Sequence, residues 1–208
     1  MLKKEPEIRR RIEASEDPVA TAIRAAQAGN YIDYIALGEV DGDQLEQLLF
    51  QNGEKGLKPE VYDSFRTDLS SAENLVYITD NCGEIVVDKV LIQELKKSYP
   101  QVNVTVIVRG ACVANDASME DAVQVGLPDE ARVIGNGTRI AGTSLNRISR
   151  EAKELIERAD LIIAKGQGNY ETLSGCGLNV YYLFLCKCDY FVKRFEGEYL
   201  QHLSLIHI

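Results

Sequence analysis

The sequence predicts a three-layer α/β fold, with a doubly wound and mostly parallel sheet preceded by a helical subdomain. From Asn74 onward, short apolar segments rich in β-branched residues alternate with segments of helical periodicity. The apolar segments are nearly uninterrupted, which is typical of strands buried on both faces of a parallel sheet. The chain has 208 residues, and folding at this length buries roughly 70% of the unfolded surface, so its core needs no disulfide or metal support.

Residues 1–72 are predicted to be helical, and we assign them to a partial helical subdomain. Asp17 followed by Pro18 indicates a helix start, because the aspartate can cap the first turn and proline fits within it. The segments with helical spacing of apolar residues are Val19–Ala28, Asp41–Phe50 and Pro59–Leu69.

Residues 73–198 are assigned to an α/β domain in which strands and helices alternate. The predicted strands are Leu75–Thr79, Val102–Val108, Ala131–Ile134, Leu161–Ala164 and Val180–Lys187. The predicted helices are Glu84–Lys97, Ser118–Val125 and Ser144–Arg158. Residues 199–208 end in QHLSLIHI, which continues no upstream pattern. We interpret this tail as non-native, with an edge strand as the alternative.

The composition disfavours several classes of function. The net charge of −9 argues against nucleic acid or an anionic membrane as a partner. The 2 histidines, His202 and His207, both lie in the tail, which disfavours a Ser-His-Asp triad, a Cys-His pair or a histidine-rich zinc site. The 5 cysteines show no CxxC spacing, and no signal peptide or bilayer-length apolar run occurs. We therefore expect free thiols and a cytoplasmic location.

Acid and amide side chains follow the first two predicted strands. Asp80 and Asn81 come after the first strand, and Asn115 and Asp116 come after the second. Ligands of doubly wound sheets bind at the carboxyl ends of the strands, and carboxylate and amide oxygens suit Mg²⁺, Mn²⁺ and related cations. Each pair also precedes a helix, so helix capping is the alternative. The residues alone leave both interpretations open.

Other polar residues near the strand ends have a functional and a structural interpretation. Lys165 begins a loop with Gly166 and Gly168, which could hold a phosphate or be an ordinary connection. Lys187 ends the last predicted strand. Its side chain either extends to water or lies beside Lys165, where the two ammonium groups would form a positively charged surface. Glu84 is interpreted as a supporting or acid–base group near the metal. For the remaining candidates we favour structural roles. Arg109 is interpreted as a surface arginine, Asn30 and Asp33 as part of a packed helix end, and Asp88 as an acid in the first turn of a helix.

Six segments, in order, resemble the metal-dependent damage-control phosphatases, a family also known as domain of unknown function 89. They are Gly29–Asp33, Asp80–Ile92, Asn115–Ala117, Gly142–Leu145, Ala159–Leu173 and Lys187–Cys188. The second and fifth are quite specific, and the match, over about 15–195, is nearest to the prokaryotic-type subfamily. Members of that subfamily begin with a helical segment that bears a CxxC, which this chain lacks, and this chain stops soon after its last strand. We therefore expect a chain truncated at both ends.

The resemblance implies a three-layer α/β fold with a helical cap and phosphatase activity on phosphorylated, sugar-phosphate-like metabolites. It also implies a divalent metal such as Mn²⁺, Co²⁺, Ni²⁺ or Mg²⁺. By matching motif, the metal ligands would be Asp80, Asn81 and Asp116. The same matching assigns four residues to binding of the substrate and its phosphate: Lys165, Asn169, Glu171 and Lys187.

The expected reaction is metal-assisted hydrolysis of a phosphomonoester, with Asp80 or Glu84 as the catalytic carboxylate that orients the attacking water. Lys165 and Lys187 would neutralise the phosphoryl oxygens. A covalent aspartyl phosphate is the alternative route, although Cys82 stands where the second aspartate of a DxD motif would be. The alternative functions are a transferase that binds S-adenosylmethionine or a nucleotide on a Rossmann-like sheet, and a non-catalytic sensor of phosphometabolites.

Overall fold

The chain forms one six-stranded sheet between two layers of helices. The computed structural model describes residues 1–33, 38–39, 41–50, 57–195 and 199–200, and the backbone of 202–207. The strands are β1 (Asn74–Ile78), β2 (Asn103–Val108), β3 (Arg132–Gly135), β4 (Leu161–Lys165), β5 (Val180–Leu185) and β6 (His202–His207). The described helices are α1 (Glu5–Glu13), α2 (Pro18–Gly29), α3 (Gly42–Phe50), α4 (Pro59–Ser71), α5 (Ile85–Ser98), α6 (Met119–Gln124), α7 (Arg150–Glu157), α8 (Gln167–Leu173) and α9 (Asp189–Arg194).

The strand order is β3-β2-β1-β4-β5-β6, and the first five of these strands are parallel. The chain runs outward from β1 to β3 and then returns to place β4 on the other side of β1. Leu75 pairs with Leu161 and Ile78 with Ala164, so β1 and β4 end side by side. This reversal confirms the predicted doubly wound sheet, and it places the loops after β1 and β4 at the switch point where ligands bind in such folds.

Alternating residues of β1 separate the two helical layers. Leu75 and Tyr77 pack in one core with residues of α1, α2, α4 and α5. Val76 and Ile78 pack in the other core with residues of α7, α8 and α9. The predicted three layers are therefore confirmed, and helices of 1–72 contribute directly to the first core. A domain boundary at residue 72 stays a prediction.

Local signals explain where several elements begin. Asp17 caps α2 as expected, because its side chain accepts a hydrogen bond from the backbone N–H of Ala20 at 2.9 Å. The predicted helix Ser144–Arg158 was too long, since α7 begins only after Ser149, whose hydroxyl accepts from the N–H of Ala152 at 3.2 Å. The segment after Gly166, expected to be a loop, is the helix α8.

The tail adopts the conformation of the edge-strand alternative, because the backbone of β6 pairs antiparallel with β5. Residues 196–198 at the end of the predicted α/β domain, and 201 and 208 in the tail, lie outside the described residues. Over the described ranges, no helix combines the length and hydropathy that crossing a bilayer requires.

Candidate active site

A short backbone contact brings the three predicted metal ligands together. Asn81 and Asp116 form an antiparallel β-bridge, and the N–H of Ala117 donates to the carbonyl of Asp80 at 2.7 Å. Directly opposed residues in an antiparallel pair place their side chains on the same face. The Asn81 amide also donates to Asp80 Oδ2 at 3.0 Å. The loops after β1 and β2 therefore meet with Asp80, Asn81 and Asp116 at the switch point.

The oxygen atoms of these side chains fit a hard divalent cation. Asp80 Oδ2 accepts from Asn30 and Asn81, and Asp116 Oδ2 accepts from Arg109 Nε at 2.5 Å. Within the described ranges, no hydrogen bond reaches the second oxygen of either carboxylate or the amide oxygen of Asn81. One oxygen of each side chain is thus available to a cation. Only two of these donors are carboxylates, and clusters of three His, Cys, Asp or Glu donors do not occur among the described residues.

Asp80 has a strongly perturbed acidity. Loss of surrounding water and the neighbouring Glu84 raise the pKa of Asp80 to about 7, and Asp116 acts in the same direction. Lys187 and Arg109 lower the pKa of Asp80 and partly oppose this effect. A carboxylate that titrates near neutrality is typical of sites that bind cations or transfer protons.

Glu84 contacts the predicted metal ligand Asn81, and both of its carboxylate oxygens accept hydrogen bonds. Its side chain is 0% exposed. Oε1 accepts from Asn30 Nδ2 at 2.8 Å, from Asn81 N at 3.1 Å and from Asn81 Nδ2 at 2.9 Å. Oε2 accepts from the ammonium group of Lys165. The structure therefore places this predicted catalytic carboxylate next to the site, with both oxygens occupied.

Lys165 is buried below the site rather than directed into a crevice. Its ammonium group donates to Glu84 and, at 2.7 Å, to Asp88 Oδ1, which also accepts from the hydroxyl of Tyr77 at 2.7 Å. Burial lowers the pKa of Lys165, but the carboxylates of Asp88 and Glu84 more than offset it, and the net pKa is raised. Burial raises the pKa of Asp88 to about 6 against the opposing effect of Lys165. Substrate contact by Lys165 stays a prediction that would require these bonds to break.

Lys187 lies at the site and is paired with the end of the N-terminal helical segment. Its ammonium group donates to Asp33 Oδ2 at 2.7 Å, and Asn115 donates to Asp33 Oδ1 at 3.1 Å. Lys187 is close enough to Asp80 to lower its pKa. Lys165 pairs with Leu183 in the sheet, so Lys187 lies further along the strand direction and the two lysines occupy different depths.

Arg109 is a member of the site that the sequence interpretation missed. It is 3% exposed, so its assignment as a surface arginine was wrong. Besides Asp116, it donates to the carbonyl of Gly142 at 2.6 Å and to Thr143 Oγ1 at 3.3 Å. The Thr143 hydroxyl donates to Asn169 Oδ1 at 2.8 Å. The signal available in the sequence was the position of Arg109 at the end of the second strand.

The two predicted substrate residues on α8 have different environments. Asn169 is buried, and its amide donates to the carbonyls of Thr79 at 3.0 Å and Lys165 at 2.6 Å. It therefore joins the ends of β1 and β4. Glu171 is exposed, and among the described residues it has no hydrogen bond or ion pair. Contact of Glu171 with substrate stays a prediction.

Asn30 is both the helix end that we expected and a contact of the site. It is the C-terminal cap of α2 and is fully buried. Its amide nitrogen donates to Asp80 at 3.1 Å and to Glu84 at 2.8 Å, and its oxygen accepts from the N–H of Leu185 at 3.2 Å. The sequence signal was a polar residue in an apolar setting.

Gly166 is predicted to be essential for the packing of Asp80. Its φ is +79°, and a Cβ added there would lie 2.0 Å from Asp80 Oδ2. We expect Gly166→Ala to destabilise the protein by about 1–3 kcal/mol through overpacking and to weaken Mn²⁺ binding, measured by urea denaturation and calorimetry. Gly175→Ala is the matched control, because φ is +77° there and nothing lies within 4 Å of the added Cβ. Equal effects of both substitutions would contradict the prediction.

Comparisons with known proteins agree on one family. A family model described as the damage-control phosphatase ARMT1-like domain matches residues 2–201. A damage-control phosphatase of Pyrococcus horikoshii is 38% identical over 172 residues, which cover 80% of this chain and 58% of that protein. A damage-control phosphatase of Archaeoglobus fulgidus is 34% identical over 181 residues, which cover 86% of this chain and 62% of that protein. The crystal structure of a DUF89 family protein from Pyrococcus horikoshii superposes with a TM-score of 0.79 at 29% identity, over 99% of this chain and 73% of that chain. The chain thus spans about three-fifths of the length of the curated relatives that it matches.

Proposed function

The chain belongs to the damage-control phosphatase ARMT1-like family, and we propose that it is a divalent-metal-dependent phosphatase acting on phosphomonoesters of small, sugar-phosphate-like metabolites. The observation that carries this proposal is the convergence of Asp80, Asn81 and Asp116 at the switch point between β1 and β4. The names of the two archaeal damage-control phosphatases support the reaction class.

The cation would be held by the oxygens of Asp80, Asn81 and Asp116 that no described residue engages. When bound, Mn²⁺, Co²⁺, Ni²⁺ or Mg²⁺ would polarise a phosphoryl oxygen and lower the pKa of a coordinated water. Arg109 fixes Asp116, and Asn30 fixes Asp80, so both carboxylates are preoriented by buried partners.

Asp80 is a better candidate than Glu84 for orienting the attacking water. Asp80 Oδ1 has no hydrogen bond from the described residues, whereas both oxygens of the fully buried Glu84 are engaged. Lys187 would supply positive charge to the phosphate by exchanging its partner Asp33 for a phosphoryl oxygen.

Chelation should abolish the activity. We expect release of p-nitrophenolate from p-nitrophenyl phosphate to require Mn²⁺ or Ni²⁺, to stop in excess EDTA and to return when the metal is restored in excess. Activity that is indifferent to EDTA would contradict the metal site. Binding of S-adenosylmethionine without phosphate release would indicate the transferase instead, and calorimetric binding of sugar phosphates without turnover would indicate a sensor.

A further inference from the structure

We infer that Glu84 is a positioning residue that determines which way the side-chain amide of Asn81 points, and hence whether its oxygen faces the proposed cation. This inference rests on the proposed metal site. From its sequence position, Glu84 was predicted to be a supporting or acid–base group. In the structure, Glu84 accepts two hydrogen bonds from Asn81, one of the proposed ligands. It is linked to Asp80, a second proposed ligand, only through residues that donate to both carboxylates.

The amide nitrogen of Asn81 has two acceptors. It donates to Asp80 Oδ2 at 3.0 Å and to Glu84 Oε1 at 2.9 Å. An asparagine amide carries two N–H donors, so both are used by these carboxylates. The amide oxygen therefore does not face these carboxylate oxygens, and the side chain of Asn81 lies on the same face of the bridge as that of Asp116.

The orientation matters because the two ends of an amide have the same shape and opposite polarity. A flipped amide would present N–H groups to a cation and would place its oxygen against two carboxylates. Oε1 of Glu84 accepts from Asn81 and Oε2 accepts from Lys165, so the flipped form would set the amide oxygen of Asn81 against Oε1 with no hydrogen between them. A neutral glutamine at this position has one acceptor end and one donor end and could not discriminate in the same way.

Buried partners hold the Glu84 carboxylate in contact with the amide of Asn81. Asn30 donates to Oε1 at 2.8 Å, and Lys165 donates to Oε2. Lys165 is itself held by Asp88, and the side chains of Lys165, Glu84 and Asp88 are all 0% exposed. Lys165 occupies Oε2 of Glu84, which leaves Oε1 to accept from Asn30 and Asn81.

The test measures Mn²⁺ binding in the absence of substrate. We expect Glu84→Gln to weaken Mn²⁺ affinity about 10- to 100-fold, the usual consequence of losing the partner of a metal ligand, measured by calorimetry and by electron paramagnetic resonance of free Mn²⁺. Turnover of p-nitrophenyl phosphate should largely recover at saturating Mn²⁺. A catalytic base would give the opposite result, with unchanged Mn²⁺ affinity and a low kcat at saturation.

One further variant separates this role from a general loss of structure. Glu94→Gln is the matched control, because Glu94 is a buried carboxylate on the same helix whose partners are Ser98 and Lys97. It should leave Mn²⁺ affinity unchanged.

Wild-type affinity in Glu84→Gln would overturn the inference. If Glu84→Gln does not fold, Glu84→Asp replaces it, because the carboxylate is kept but its reach to Asn81 is shortened. Unchanged Mn²⁺ affinity in Glu84→Asp would then overturn the inference, and weakened affinity would support it. Failure of the wild-type protein to bind Mn²⁺ would instead count against the proposed function.

Discussion

Asp80→Ala and Asp116→Ala should each reduce kcat/KM for p-nitrophenyl phosphate by at least about 100-fold at a Mn²⁺ concentration that saturates the wild-type protein. Loss of an outer partner of a metal ligand already costs about 10- to 100-fold, and these substitutions remove the proposed ligands themselves. Asp80 additionally supplies the oxygen that we propose orients water. The measurement is initial-rate kinetics over a range of Mn²⁺ concentrations.

The control for this pair is Asp63→Ala, which removes an exposed carboxylate from α4, outside the site. It should keep wild-type kinetics. Asp80 also accepts hydrogen bonds from Asn30 and Asn81, so thermal unfolding must show that the Asp80→Ala protein is folded. Full activity in a folded Asp80→Ala or Asp116→Ala protein would remove these residues from the proposed metal site.

Lys165→Met should have the largest effect on stability. It leaves Glu84 and Asp88 fully buried without the cation to which both are bonded. Breaking a buried ion pair by removing one partner costs about 3–5 kcal/mol, so we expect the free energy of unfolding at neutral pH to fall by this amount. Urea denaturation provides the measurement, and Mn²⁺ affinity should fall with it, because Glu84 loses a donor.

The stability loss should depend on pH in a defined direction. Burial already raises the pKa of Asp88 to about 6 in the folded protein, and removing Lys165 takes away a group that lowers it. A carboxylate whose pKa is higher in the folded than in the unfolded state makes folding less favourable as pH rises. The deficit of Lys165→Met should therefore be larger at pH 8 than at pH 5.

Lys153→Met is the matched control for Lys165→Met. Lys153 is 41% exposed and lies 3.7 Å from Glu157 one helical turn away, and such surface pairs contribute about 0.3–0.5 kcal/mol. A similar loss of stability in both variants, or a Lys165→Met loss that does not grow with pH, would contradict the prediction.

The sheet and the meeting of two polar loops at its edge could be predicted because both depend on local pattern. Uninterrupted apolar strands indicate burial on both faces, and polar residues directly after β1 and β2 must meet where parallel strands end. The choice of Asp80, Asn81 and Asp116 as ligands came from the family resemblance, and the structure brings these three residues together.

The burial of the cationic side chains of Lys165 and Arg109 could not be predicted from local pattern. Lys165 and Arg109 end apolar strands, which is also where surface cations are common. Their burial depends on partners far away in sequence. Lys165 is paired with Asp88 on α5 and with Glu84 just before that helix, and Arg109 donates to the carbonyl of Gly142. The start of α7 was missed for a similar reason, since periodicity continues through Ser144 while a cap at Ser149 decides the boundary.

The position of Asn30 couples two parts of the molecule thermodynamically. One side chain at the end of α2 bonds to Asp80, to Glu84 and to the backbone of β5. Opening of α2 would remove a donor from both carboxylates, so a cation that prefers the assembled site would also stabilise the N-terminal helices. Cation binding at the end of the sheet and the resistance of α2 to local unfolding should therefore increase together.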